Sequence, residues 1–166
     1  MPARDLVRMG VDPGKVPPPA TLQRQLEALI DVAARDADTA YVVWLVDGRA
    51  VGFNSLKNIV FGERGDMHLH MWDAAERGKG YGKTLFCLAA LDFFERFRLQ
   101  RIVCEPSRAN AMPNAMLQGV GFRVLGTRTG KASELSVVTE LNTYAIERRV
   151  AENYVAQRKE SDTPRA

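Results

Sequence analysis

Two stretches of this sequence hold residues whose types and spacing can do chemistry. Arg77-Gly78-Lys79-Gly80-Tyr81-Gly82-Lys83 puts three cations, three glycines and no anion into seven residues. Glycines let backbone N–H groups approach an anion closely, and a helix starting near Lys83 adds its partial positive charge. With Arg77, Lys79 and Lys83 adding attraction, a pyrophosphate is the expected ligand. Two known phosphate loops fail on spacing: a P-loop needs glycine where Arg77 stands, and the dinucleotide fingerprint G-x-G-x-x-G is here G-x-G-x-G. On the loop alone, a tight strand-to-helix turn with solvated basic residues stays open.

The second stretch holds both histidines of the protein, His68 and His70. On a strand, a spacing of two puts them on one face with Asp66 and Trp72. Imidazoles titrate near neutrality, so such a face can act as a base or relay a proton from an amine to water. Histidines hydrogen-bonded within the sheet are the competing reading, and a metal site needs a third ligand such as Glu140 to converge. Glu105 and Asp73 end strands near the glycine loop, where either can act as a carboxylate base or hold a cation, though strand-end acids are commonly surface groups. With Asp66 they favour a small cationic amine as substrate. Tyr144 reads as core, and Cys104, with no basic neighbour in sequence to lower its pKa, as a small apolar side chain.

These residues need elements to hold them. The first twenty residues, with Pro2, Pro13, Pro17, Pro18 and Pro19, read as an extended lead-in. Leu22, Leu26, Leu29, Ile30 and Ala33 have helical spacing, predicting a helix from an N-cap at Thr21 to about Arg35. A hairpin follows, Tyr41 to Val46 and Ala50 to Leu56 about Asp47-Gly48, then a strand from Asp66 to Trp72. After the glycine loop come a largely apolar helix to about Phe97, a strand Arg101 to Glu105, a short helix Asn110 to Gln118, and strands Phe122 to Thr127 and Val137 to Ile146. The fold class is α/β (α+β).

Composition bounds the alternatives. At 166 residues, 46% apolar and 26% charged, the chain has the length of one domain and excludes disorder for its bulk. Its apolar runs are too short for a membrane span, so a soluble, cytoplasmic protein is expected. Two cysteines exclude a disulfide scaffold. The net charge of +3 equals the three cations of the loop, and the stretch Glu147 to Ala166 nearly balances five cations against four anions, so nucleic acid is not an expected partner.

Arg77-x-x-Gly80-x-Gly82 resembles the R/Q-x-x-G-x-G/A signature of the GCN5-related N-acetyltransferases (GNAT family). Glu105 to Asn110, Asn114 to Gln118 and Gly121-Phe122 resemble the strand, short helix and G-F turn that follow it. The resemblance spans about Ala40 to Ile146. It implies a mixed, splayed sheet flanked by helices, with acyl-coenzyme A in a cleft between the strands Asp66 to Trp72 and Arg101 to Glu105. Residues 21–146 would form this domain, after a lead-in over 1–20 that stands where the usual first strand and helix are missing, and before a charged, partly helical tail over 147–166. The resemblance implies acetyl-CoA as co-substrate, no metal, and direct transfer to a primary amine of a small acceptor. Backbone amides from Gly78 to Lys83 would bind the pyrophosphate. Groups near Met71, Trp72 and Asp73 would meet the pantetheine and thioester, and Asn110 would contact the cofactor. His68, His70 and Glu105 are the candidate base or proton relay. Members often carry a tyrosine acid where Leu117 stands, so a catalytically weak or inactive CoA-binding regulatory domain is the alternative. An uncovered sheet edge would favour a homodimer.

Overall fold

Strand β1 (Thr39–Val46) turns at Asp47-Gly48 into β2 (Arg49–Val60), and β3 (Arg64–Met71) pairs with the far side of β2. The computed structural model describes residues 6–7, 10–71 and 74–162. Helix α2 (Gly82–Arg96) crosses over to β4 (Arg101–Cys104), which lies parallel to β3. Helix α3 (Ala111–Val120) leads to β5 (Arg123–Gly130), and β6 (Thr139–Ile146) inserts between β4 and β5. The sheet order is β1-β2-β3-β4-β6-β5, antiparallel except at β3–β4. The expected mixed sheet with flanking helices is therefore present.

The parallel pair is short. Register runs only over Arg64↔Arg101, Gly65↔Ile102 and Asp66↔Val103. Beyond it, β3 continues to Met71, whereas β4 stops at Cys104 and Pro106 lacks the N–H to extend the ladder. The two strands therefore part after Asp66. Strand alternation then sorts β3: Met67, fully buried, points to α2 with Leu56 and Trp44, while His68 and His70 point to the opposite face, beside Ser55 and Phe53 of β2.

Helix α2 is apolar around most of its girth because it is covered twice. Phe86, Phe93 and Phe97 pack with Ile102 and Tyr144 of the sheet in one core. On the outside lies α4 (Arg148–Asp162), with Ala151 and Val155 buried in the same core. The stretch read as a charged tail thus packs on α2.

The first helix differs from expectation. Helix α1 spans Pro19–Glu27, with Pro18 at the N-cap position where Thr21 was expected. Proline suits the first turn because its missing N–H needs no partner there. The helix stops a full two turns early, and Leu22, Leu26 and Ile30 are exposed. Periodicity without a surface to pack on does not sustain a helix. The lead-in is also tied down, by an isolated bridge from Val11 to Ser136.

One close approach sets the β2–β3 geometry. A Cβ at Gly52 would lie 2.5 Å from the His70 carbonyl oxygen and 3.1 Å from Met71 Cα. Both contacts are backbone and cannot swing away. Gly52→Ala is expected to destabilise the fold by about 2–3 kcal/mol in urea unfolding. A loss below about 0.5 kcal/mol would show that the strands tolerate a wider spacing there.

Candidate functional site

Where β3 and β4 part, a cavity of about 840 Å³ opens through the domain. The glycine loop and the start of α2 line one side of it, and His68, His70, Ser55 and Lys57 line the other. Trp72 and Asp73, expected near the thioester, lie outside the described residues. Met71 and Asn110 line the cavity, with Asn110 at the N-cap position of α3.

The loop is built to receive an anion through its backbone. Gly78 and Gly80 sit at φ of 79° and 90°, a region that side-chain-bearing residues rarely adopt, and open space lies where their Cβ atoms would be. The first helical acceptor is reached at Leu85 N, 3.0 Å from the Tyr81 carbonyl. No side chain caps the helix. The amides of Gly82, Lys83 and Thr84 are therefore the orphan donors of a helix N-terminus, and Gly82 and Lys83 line the cavity.

Each of the loop's cations has a partner within the chain. Arg77 Nη2 donates to the Met71 carbonyl at 3.1 Å, bracing the end of β3. Lys83 Nζ donates to Gly119 O at 3.3 Å, at the far end of α3. Lys79 pairs at 3.0 Å with Glu76, a residue that the sequence motif did not single out. The Glu76 carboxylate also accepts from Tyr81 and, at 3.1 Å, from Arg49, and these partners hold its pKa below the ordinary carboxylate range. It is only 4% exposed because its own partners cover it. Glu76 ties both flanks of the loop together, and its position just before Arg77 was the signal available.

The histidines form the other wall. Burial pulls His68 down to about 4, aided by the Lys57 charge, and Glu105 opposes this weakly. His70 is likewise pulled to about 4, by burial, then by His68 and Lys57. Both rings are neutral at pH 7 while keeping a strip of surface open to the cavity. His70 stacks on Phe53 at 4.8 Å between centroids, and Phe53 in turn meets Tyr41 at 5.8 Å. The buried Asn54 fixes this strand from behind, accepting from Trp44 Nε1 at 2.8 Å and donating to the His68 carbonyl at 2.9 Å.

The acids are spoken for. Glu105 accepts two hydrogen bonds from Arg128 and one from Thr143 at 2.7 Å. The Arg128 bonds above all hold its pKa below the ordinary carboxylate range, which suits an ion pair more than a base working near neutrality. Asp66 accepts from Asn58 at 2.8 Å. Glu140 is exposed and paired with Arg108, and among the described residues no three His, Cys, Asp or Glu side chains converge as a metal site. Cys104 lines the cavity, but burial pushes its thiol up to about 12, so it is no nucleophile.

The sequence profile of the Acetyltransferase (GNAT) domain matches residues 3–123. The chain belongs to the GNAT acetyltransferase family. No curated protein matches significantly. Among solved structures, the spermidine N-acetyltransferase from Vibrio cholerae in complex with CoA and spermine is similar in fold: 16% identity, TM-score 0.69, covering 89% of this chain and 86% of that one. RimJ from Mycobacterium smegmatis, in complex with CoA-disulfide, aligns with 23% identity and TM-score 0.64 over 83% of this chain and 67% of its own.

Within this GNAT domain, Leu117 is fully buried and contributes no acid. Tyr144 does not replace it. Its ring is buried and its hydroxyl donates to Asn114 Oδ1 at 3.1 Å while accepting from Gln118 at 3.2 Å. Asn114 also donates to the carbonyls of Ser107 and Asn110 at 2.9 and 2.7 Å, so this network anchors the start of α3 beside the cleft. The GNAT match ends at residue 123, yet α4, beyond it, brings Tyr154 and Arg158 to the cavity wall. Sequence reasoning missed both. No helix among the described residues is long and apolar enough to cross a membrane.

Proposed function

We propose that this protein transfers an acetyl group from acetyl-CoA to a primary amine of a small acceptor, by direct attack in a ternary complex. One observation carries the reading: the glycine loop, with the helix-start amides of Gly82 and Lys83, lines the same cavity as the neutral histidine pair, opened by the parting of β3 and β4. Those amides and the glycine loop fit the pyrophosphate of coenzyme A, an anion that needs donors closely spaced and free of side chains. Acetyl-CoA, when bound, supplies the thioester whose acyl group forms a bond to the amine nitrogen as the thiol departs.

The residues of this chain do the rest. Attack requires a lone pair, so the ammonium form of the acceptor must first lose a proton. His68 and His70, uncharged at pH 7, line the cavity and serve as a relay that hands the proton on toward solvent; burial makes them weaker bases than a free imidazole, so they pass the proton and do not store it. Glu105 acts through its bond with Arg128, ordering the strand ends that border the cavity. No tyrosine acid is needed because a thiolate leaves without prior protonation, its pKa being near that of an ordinary thiol. Asp66 and Glu105 are engaged within the chain, so they lend little support to a cationic acceptor, although a neighbouring fold is that of a spermidine acetyltransferase.

Thiol release measured with acetyl-CoA over a panel of polyamines, amino acids and short peptides tests the reading. Turnover on at least one small primary amine is expected. Calorimetric binding of CoA with no turnover on any amine would favour the regulatory-domain alternative that Leu117 suggests.

A further inference from the structure

We propose that the C-terminal helix gives this protein a phosphate-reading subsite: Arg158, seated beside Tyr154, selects coenzyme A over its form lacking the ribose 3′-phosphate. The inference rests on the cavity being the coenzyme A site and goes beyond it, because α4 lies outside the residues that match the family.

The sequence of α4 shows how the residue reaches the cleft. Ala151, Tyr154, Val155 and Arg158 stand at i, i+3, i+4 and i+7, the inner stripe of an amphipathic helix. Ala151 and Val155 are buried and Tyr154 is half-buried against the core. Arg158 continues the stripe one turn on, where an apolar residue would otherwise be expected, and there the core gives way to the cavity. The direction of α4 follows from the sheet. Strand β6 ends at Ile146, opposite Ile102 at the start of β4, so α4 sets out where α2 finishes and runs back toward the glycine loop. Arg158 lines the same cavity as Lys83, Asn110 and Met116.

Charge separates the roles. The pyrophosphate is served by backbone amides, whereas a further phosphate on the ribose, away from the loop, needs a side-chain cation. Arg77, Lys79 and Lys83 are engaged with Met71, Glu76 and Gly119. Among the cavity's cations, Arg158 and Lys57 have no ion pair or side-chain hydrogen bond among the described residues, and Lys57 stands on β2, two residues from Ser55, which pairs with His68, whereas Arg158 comes from α4. A guanidinium offers paired N–H groups matched to a phosphate's oxygens. Exposed Met112 and half-buried Met116 line the same cavity and offer it apolar surface suited to the adenine.

Calorimetry with CoA and with dephospho-CoA, on the full chain, tests this. Wild type is expected to bind CoA about tenfold more tightly than dephospho-CoA. R158Q should lose that preference by weakening CoA about tenfold while leaving dephospho-CoA within about twofold, and R158K should restore part of it. Arg158 is exposed, so an unchanged melting temperature accompanies these results. Equal weakening of both ligands, or no change in either, overturns the subsite. Failure of the wild type to bind either ligand overturns the coenzyme A reading itself.

Discussion

Gly80→Val is expected to weaken CoA binding by about 100-fold or more while leaving the protein folded. Gly80 sits at φ 90° with nothing within 4 Å of where a Cβ would stand, so the new side chain clashes with no atom of the protein. Its two costs fall elsewhere. A β-branched residue at positive φ is strained by about 1–2 kcal/mol, which pulls the loop toward another conformation. The isopropyl group also fills the space through which the loop's amides would reach an anion, and donors that lose a charged partner lose more than neutral ones. Calorimetry with CoA, alongside a melting curve, reads both effects. Binding within about threefold of wild type would remove the glycine loop from the anion site, whatever the enzyme's activity.

The histidine pair should dominate the pH behaviour. Each ring has a pKa of about 4 in the fold against 6.5 in the unfolded chain. Above pH 6.5 neither state carries the extra protons and the full stability is present. As pH falls from 6.5 toward 4, the unfolded chain takes up protons that the folded one refuses. Stability is therefore lost across that window, on the order of 2–3 kcal/mol for each ring. A melting temperature at least about 8 °C lower at pH 4 than at pH 7 is expected from the pair. The H68Q/H70Q variant, which has nothing to protonate there, should flatten the curve. In activity the same variant should lose about 100-fold in kcat/KM, the usual size of a proton-transfer contribution. The acid limb of wild-type kcat/KM should then lie near pH 4–5, below the ordinary histidine range of about 6.5. Identical melting profiles from pH 7 to 4 for wild type and variant would sink the buried-pair account, and unchanged kcat/KM would sink the relay.

Much of the scaffold was legible because local chemistry and tertiary packing agreed. The Asp47-Gly48 turn placed the hairpin, and the apolar girth of Leu85 to Phe94 announced a helix covered on more than one side. The spacing of His68 and His70 put them on one sheet face because strand alternation is independent of what packs on the strand. The first helix was misread for the opposite reason. Leu22, Leu26 and Ile30 have the right period, but a pattern records only that one side is apolar, and here all three are exposed, with no surface among the described residues burying them.

By itself, then, the sequence determined the backbone devices of this GNAT domain: the glycine loop, the helix that follows it and the paired histidines. Each is a local property of residue type and spacing. Only the tertiary structure decided what the charges do. Arg77, Lys79 and Lys83 look alike in sequence, yet one braces β3, one serves Glu76 and one reaches α3. Glu105 became an ion-paired residue through Arg128, twenty-three positions away. Arg158, in a stretch that looked like tail, came to the cavity wall because Ala151 and Val155 dock α4 on α2. A long side chain's partner depends on which elements the fold brings within a few ångströms of it, and that distance is not written in spacing along the chain.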